Sequence, residues 1–231
     1  DRKALPKLVE ASRIMDRLYL KQKWKDNLRT CAALLDDTSL LGKARLHYYW
    51  LNKGPWSSLD EGAAFLPGVP EKAIAGAAFY PEDMTKEEFE AWLKTLSPEQ
   101  QEKAKGFFTV VRRDKDGKLQ LVPYNEEYRV ELSRAAKLLR EAAELTTNAT
   151  LRKFLLLRAQ AFLTDDYYES DVAWMEVDAP IEVTIGPYET YTDAIFGYKA
   201  AFEAYITLRD ERETKKLQGF VPVIYSSKIN E

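Results

Sequence analysis

The run FLLLRAQAFL, Phe154–Leu163, sets the first constraint on the fold. With Leu151 ahead of it, a helix starting near Thr150 carries apolar side chains on most of its sides. Such a helix is stable in water only when other elements surround it, so it is expected at the centre of a core. It is no membrane span: the run is short, Arg158 and Gln160 interrupt it, and a span needs about 18 apolar residues.

The elements to surround it are also legible. Leu5, Leu8, Val9, Met15, Leu18 and Tyr19 keep a three-to-four spacing and predict a helix over residues 3–22. Further helices are expected over 25–35 and 39–51. Another runs from about Asn125, with Tyr128, Leu132, Ala135, Leu139 and Ala142 on one stripe. Two short helices have start signals. Thr85 and Glu88 read as a capping box, and Ser97-Pro98 followed by Gln100 reads as a start with proline in the first turn. Thr192 to Leu217 reads as a last long helix, with Ile195, Tyr198, Phe202, Tyr205 and Arg209 in step.

Strand chemistry is local. Phe107–Tyr124 has an aromatic and β-branched arm, an Asp116-Gly117 turn and a second apolar arm, which predicts a hairpin. Further strands are expected near 176–186 and 219–226. Residues 54–81 are rich in glycine and proline and predict a long irregular loop, either functional or a wrap pinned by Trp56, Phe65, Phe79 and Tyr80. The expected fold is α+β, predominantly helical, with a small antiparallel sheet or partial β-barrel, in a single domain over 1–231.

The chemistry open to the chain is narrow. Its 34 basic and 37 acidic residues are interspersed and give a net charge of −3, which argues against a nucleic-acid partner. The single histidine, His47, cannot make a zinc site of two histidines a helical turn apart, and it reads as a core or interface residue. Cys31 has no second cysteine and reads as a small core residue. No phosphate-binding glycine loop or nucleophile elbow occurs. Leu138–Thr146 has a partial likeness to a Nudix box. However, Glu126 and Leu132 stand where that box needs glycine and glutamate, and Leu145 replaces its last glutamate. Neither a catalytic nor a metal-binding residue is expected in this chain, nor a cofactor.

Carboxylates remain. In IEVTIGPYETYTD, Ile181–Asp193, two glutamates flank a Gly186-Pro187 break. On an extended strand Glu182, Thr184 and Gly186 share a face. A turn at 186–187 would bring Glu189 back towards it, and two carboxylates on one wall could hold an ammonium. The other reading is a strand-to-helix corner with Glu189 at the helix start.

That segment, followed by FGYKAAFEAY, resembles dipeptidyl peptidase III, most closely its bacterial members. Further stretches agree in order: NKGPWSSLDEGAAFLPGV, FYPEDMTKEEFEAWL, FFTVVRR, LVPYNEEY, and the whole of Ala135–Met175. The resemblance implies a zinc exopeptidase that releases dipeptides from peptide N-termini. Its helical lobe would carry zinc through H-E-x-x-G-H and E-E-x-x-x-E-type motifs, and its other lobe would bind peptide. Neither zinc motif occurs here, so the chain resembles only the amino-terminal, peptide-binding part, and alone it is expected to be inactive. Zinc and a carboxy-terminal lobe are expected in the intact parent.

By the same resemblance Glu182 is a ligand of the substrate's amino terminus. Thr184 stands where the family has tyrosine, a departure affecting contact with the peptide. Gly186, Glu189 and Tyr191 match the pattern and complete the expected substrate-binding set. The alternative is a non-catalytic peptide-binding or scaffold domain, and an H-E-x-x-G-H motif after Glu231 would decide against it. A reducing cytoplasm fits the lone cysteine, and a removed leader would make the protein periplasmic or secreted.

Overall fold

A computed structural model of the chain describes residues 2–217. The expected strand at 219–226 lies outside them. Three helices open the chain: α1 (Leu5–Lys23), α2 (Asn27–Asp36) and α3 (Leu40–Asn52). A short ladder follows between β1 (Trp56–Ser57) and β2 (Ala63–Ala64), then α4 (Lys86–Leu93) and α5 (Pro98–Lys105). The hairpin β3 (Thr109–Arg113) and β4 (Leu119–Pro123) leads through α6 (Tyr124–Glu127) into α7 (Arg129–Leu145), α8 (Ala149–Thr164) and α9 (Tyr168–Met175). The antiparallel pair β5 (Ile181–Glu189) and β6 (Ala201–Leu208) comes last, with helical backbone at 211–217. The class is α+β and predominantly helical, and the described sheets are three antiparallel pairs.

As expected, α8 is central. Leu151, Phe154, Leu155, Ala159 and Phe162 are buried in one cluster with Leu8, Met15 and Leu18 of α1 and Leu132, Leu139 and Ala142 of α7. The inner face of β5–β6 closes this core through Ile181, Val183, Ile185 and Phe202. A smaller cluster of Leu20, Cys31, Leu34, Tyr49 and Leu66 joins α1 to α2 and α3. Cys31 is a buried core residue, and burial pushes its thiol up. His47 is exposed, which corrects the core half of the core-or-interface reading, because α3 turns Tyr49 and Asn52 inward instead.

The 54–81 segment is irregular apart from its short ladder, and its aromatic residues pin it. Trp56 packs edge-on to Trp24 and donates from Nε1 to the Pro70 carbonyl at 2.9 Å, while Phe79 and Tyr80 are buried in the main core. The two short helices start where their sequence signals place them, but their caps differ. Ser97 and Gln100 form the full reciprocal capping box on α5. Thr85 caps α4, but the Glu88 carboxylate pairs with Arg113 at 2.8 and 2.9 Å rather than reaching back to the cap. Two charge-assisted bonds outweigh one bond to a backbone amide.

The largest departure is at 192–208. The expected helix is instead a loop followed by β6. Phe202, Ala204 and Ile206 face inward and Glu203, Tyr205 and Thr207 outward, a period of two. The helical spacing of Ile195, Tyr198, Phe202 and Tyr205 coexists with that alternation. The long partner β5 decides between them, because pairing satisfies the backbone along nearly the whole strand. Asp193 fixes the loop before it. Its Oδ1 accepts from the amides of Ile195 and Phe196, and its Oδ2 from Tyr198 N and the Tyr80 hydroxyl at 2.9 and 2.8 Å. Four donors on one buried carboxylate hold the chain in a turn that a helix could not make. Lys199 then anchors the loop to the α5–β3 junction, donating to Ala104 O, Gly106 O and Thr109 Oγ1 at 2.7 to 2.9 Å.

A candidate peptide-binding face on the last hairpin

The expected site residues lie on β5 and just beyond it. Register pairs Glu182 with Thr207, Thr184 with Tyr205 and Gly186 with Glu203. Directly opposed residues of an antiparallel pair point to the same side, so these six share the outer face, as the spacing on β5 predicts. Glu182 is exposed, and its carboxylate has no hydrogen bond or ion pair among the described residues.

Glu189 reaches that face by another route than the expected turn. The strand runs on through Gly186-Pro187 as far as Glu189, and the register slips between Pro187 and Glu189. By parity residue 189 would follow Ile181, Val183, Ile185 and Pro187 into the core. The β-bulge at Tyr188 adds one residue, which turns Glu189 to the outer side with Glu203. The corner joins strand to strand, so the helix-start reading of Glu189 does not hold.

The two carboxylates then meet. Glu203 lies within hydrogen-bond reach of Glu189, and its own group is pushed up to about 7. Burial is the main cause, followed by the bond to Glu189 and that residue's charge, while a bond from Tyr205 works in the opposite sense. Glu189 Oε2 is buried and has no partner among the described residues. Glu203 therefore keeps its proton up to near neutral pH beside the Glu189 carboxylate.

Two hollows flank Glu203. One, of about 180 Å³, lies between Glu189, Tyr191 and Tyr205 of the hairpin and Asp16, Tyr19 and Lys53. Lys53 is bound to Asp16 at 3.0 Å, so its charge is already matched. The Tyr191 ring is exposed, yet its hydroxyl is raised by partial burial and by hydrogen bonds to Glu189 and Tyr19. The other hollow, of about 360 Å³, is mainly apolar and is lined by Asp171, Trp174 and Met175 of α9 with Thr184, Tyr188 and Glu203. Thr184 thus opens onto a pocket, whereas a tyrosine there would reach into it.

Gly186 is closely packed. It is buried, and a Cβ built on it would come within 2.5 Å of Arg158 Nη1 and 2.9 Å of the Tyr188 ring. Its missing Cβ leaves room on the outer side of β5 for the Arg158 guanidinium and the Tyr188 ring. Glu203, Tyr205, Tyr19, Asp16 and Trp174 were not found in the sequence. The alternation at 202–208 was the available signal for Glu203 and Tyr205. The others arrive from α1 and α9 through tertiary packing.

The described residues offer no fit to zinc. No group of three or more histidine, cysteine, aspartate or glutamate side chains is placed to hold a metal among the described residues, His47 is exposed and Cys31 is buried in an apolar cluster. No described helix is long and apolar enough to cross a membrane.

Residues 82–224 match Peptidase family M49. The chain belongs to that family. Its fold superposes on dipeptidyl-peptidase III from Corallococcus sp. strain EGB with a TM-score of 0.88 and 57% identity, covering 94% of this chain and 40% of that one. DPP III from Caldithrix abyssi gives a TM-score of 0.89 and 46% identity, covering 97% and 42%. A plant relative, Nudix hydrolase 3 of Arabidopsis thaliana, is 40% identical in an alignment 269 positions long, gaps included, that covers 95% of this chain and 35% of that protein. The M49 chain thus spans about two-fifths of the two peptidases and about a third of the plant protein. The plant protein's name belongs to its whole length. In this chain the stretch compared with a Nudix box is the amphipathic α7, with Leu132 in the core.

Proposed function

We propose that this chain supplies the peptide-binding wall of an M49 dipeptidyl peptidase, and that the outer face of β5–β6 receives the amino terminus of the peptide. The free Glu182 carboxylate carries the reading. An exposed carboxylate without a partner, on the same face as Glu189 and Glu203, is open to a cation. A substrate ammonium there would form charge-assisted hydrogen bonds, about twice as strong as neutral ones. Because only a free amino terminus can dock, the scissile bond would fall at a fixed distance along the peptide. The side chain next to Thr184 would enter the apolar hollow beside Trp174.

On this proposal bond cleavage belongs to zinc held elsewhere in the intact protein, since no group among the described residues fits that metal. On this reading the chain binds and registers the peptide and does not hydrolyse it. The two solved relatives, both titled as dipeptidyl peptidases and each matching almost all of this chain, support that division.

The test is calorimetric titration of a free-amine tetrapeptide into the 231-residue chain and its Glu182→Ala variant. The expected result is at least a tenfold loss of affinity, from a charged hydrogen bond worth about 1.5–3 kcal/mol. Equal affinity would remove Glu182 from the site.

A further inference from the structure

Where the outer face meets α9, over Gly186, lies Arg158, the one fully buried arginine among the described residues. It projects from the middle of α8. Its Nη2 reaches Asp171 Oδ1 on α9 at 2.5 Å, and the same oxygen accepts the Tyr188 hydroxyl at 2.9 Å. The guanidinium lies over the rings of Phe154, Tyr167 and Tyr188, 5.3 Å from each centroid. Its Nε and Nη1 have no hydrogen-bond partner among the described residues.

Stability alone does not account for an arginine here. Buried donors left unpaired are destabilising, and a well-packed apolar side chain often serves a fold as well as a buried ion pair. Asp171 is also half exposed, which weakens the pair by screening. The guanidinium does have a geometric property that an apolar side chain lacks. It is planar, so it fits over the bare Gly186, stacks on Tyr188 and still presents an N–H to α9. One group therefore ties the centre of the core, the bulge of β5 and the helix facing that strand. Trp174, one turn after Asp171, donates from Nε1 to Val183 O at 3.0 Å and completes the seam.

The hollow between those two elements has Asp171, Trp174 and Tyr188 in its wall, while Arg158 itself stays out of it. We propose that Arg158 is a positioning residue for this hollow, setting the gap between α9 and β5 through Asp171 and Tyr188 so that it admits an apolar peptide side chain. The proposal rests on the peptide-binding reading of the outer face, and it assigns to Arg158 a role in selectivity without contact.

Two readouts test it. The first needs no peptide. Each of the five tryptophans gives one indole N–H resonance, and that of Trp174 reports its bond to Val183. In Arg158→Lys and in the milder Tyr188→Phe, which keeps the stacked ring, the Trp174 resonance is expected to move while the other four stay. An unmoved Trp174 signal in both variants would overturn the brace. The second is calorimetric titration with two free-amine tetrapeptides, one with leucine and one with glycine at the second position. Tyr188→Phe is expected to weaken the leucine peptide about tenfold, the scale of one pocket contact, and to spare the glycine peptide. Equal losses for both would overturn the role in selectivity. If the indole moves but the wild-type chain binds neither peptide, the brace stands and the peptide-binding reading fails.

Discussion

Gly186→Ala separates the two accounts of why glycine stands in the middle of β5. If the residue is bare so that a peptide can approach, a methyl group affects binding and leaves stability almost unchanged. The structure predicts the reverse. A Cβ at 186 would lie 2.5 Å from Arg158 Nη1 and 2.9 Å from the Tyr188 ring, both well inside contact distance. Neither group can retreat freely, because Arg158 is enclosed by three rings and bound to Asp171. Overpacking of one methyl in a tight interior costs about 1–3 kcal/mol. Displacing the guanidinium from its carboxylate would add to that, so a loss of about 2–4 kcal/mol is expected. At the usual scaling for a chain of this length that is a fall of about 5–12 °C in the thermal midpoint. Urea denaturation at neutral pH measures it. The decisive control is the same substitution in an Arg158→Met background, where a flexible side chain can move aside and most of the loss should vanish. A change under about 0.5 kcal/mol in the wild-type background, or an equal loss in both, would refute the steric account.

Two further expectations concern the loop and the acid pair. Glu203 is held up to about 7 in the folded chain against an ordinary 4.5, so the native state keeps a proton that the unfolded chain releases. Its contribution to stability is therefore full below pH 4.5 and is lost as pH rises through 7. Taken whole the difference would be about 3 kcal/mol, but Glu203 reaches solvent and screening leaves about 1 kcal/mol. Glu203→Gln should flatten the fall in urea stability over that window and be the more stable protein at pH 8; an unchanged pH profile would argue against the raised Glu203 carboxyl. Asp193→Ala removes the acceptor of four hydrogen bonds and should destabilise the chain by about 3 kcal/mol or more, with loss of amide-exchange protection at Ile195, Phe196 and Tyr198. Retained protection at those amides would show that the loop holds without it.

Much of the helical framework was legible because its signals are local. The stripe on α7, the apolar girth of α8 and the Ser97 cap each lie within a few turns of chain. The outer-face trio of Glu182, Thr184 and Gly186 was legible for the same reason, since a period of two needs only the strand itself. Three features escaped. The bulge that turns Glu189 outward depends on register against β6, and β6 had been read as helix because its apolar spacing satisfied both periods. The Glu88 carboxylate followed a cap pattern, but Arg113 on β3 offered a stronger partner. Gly186 matched a motif whose physical cause, the Arg158 guanidinium, lies on a helix that precedes it in the chain. In each case the deciding partner is remote in sequence and near in space.

The central claim is that the outer face of β5–β6 recognises a free peptide amino terminus. Amide-resolved NMR titration of the chain with a tetrapeptide and with its N-acetylated form tests this most directly, because acetylation removes the charge and leaves the side chains alone. The account predicts that the free-amine peptide shifts the amides of Glu182, Thr184 and Glu203, and that acetylation weakens binding at least tenfold, the scale of one lost charged hydrogen bond. Equal affinities for the two peptides, or shifts confined to residues away from this hairpin, would contradict it.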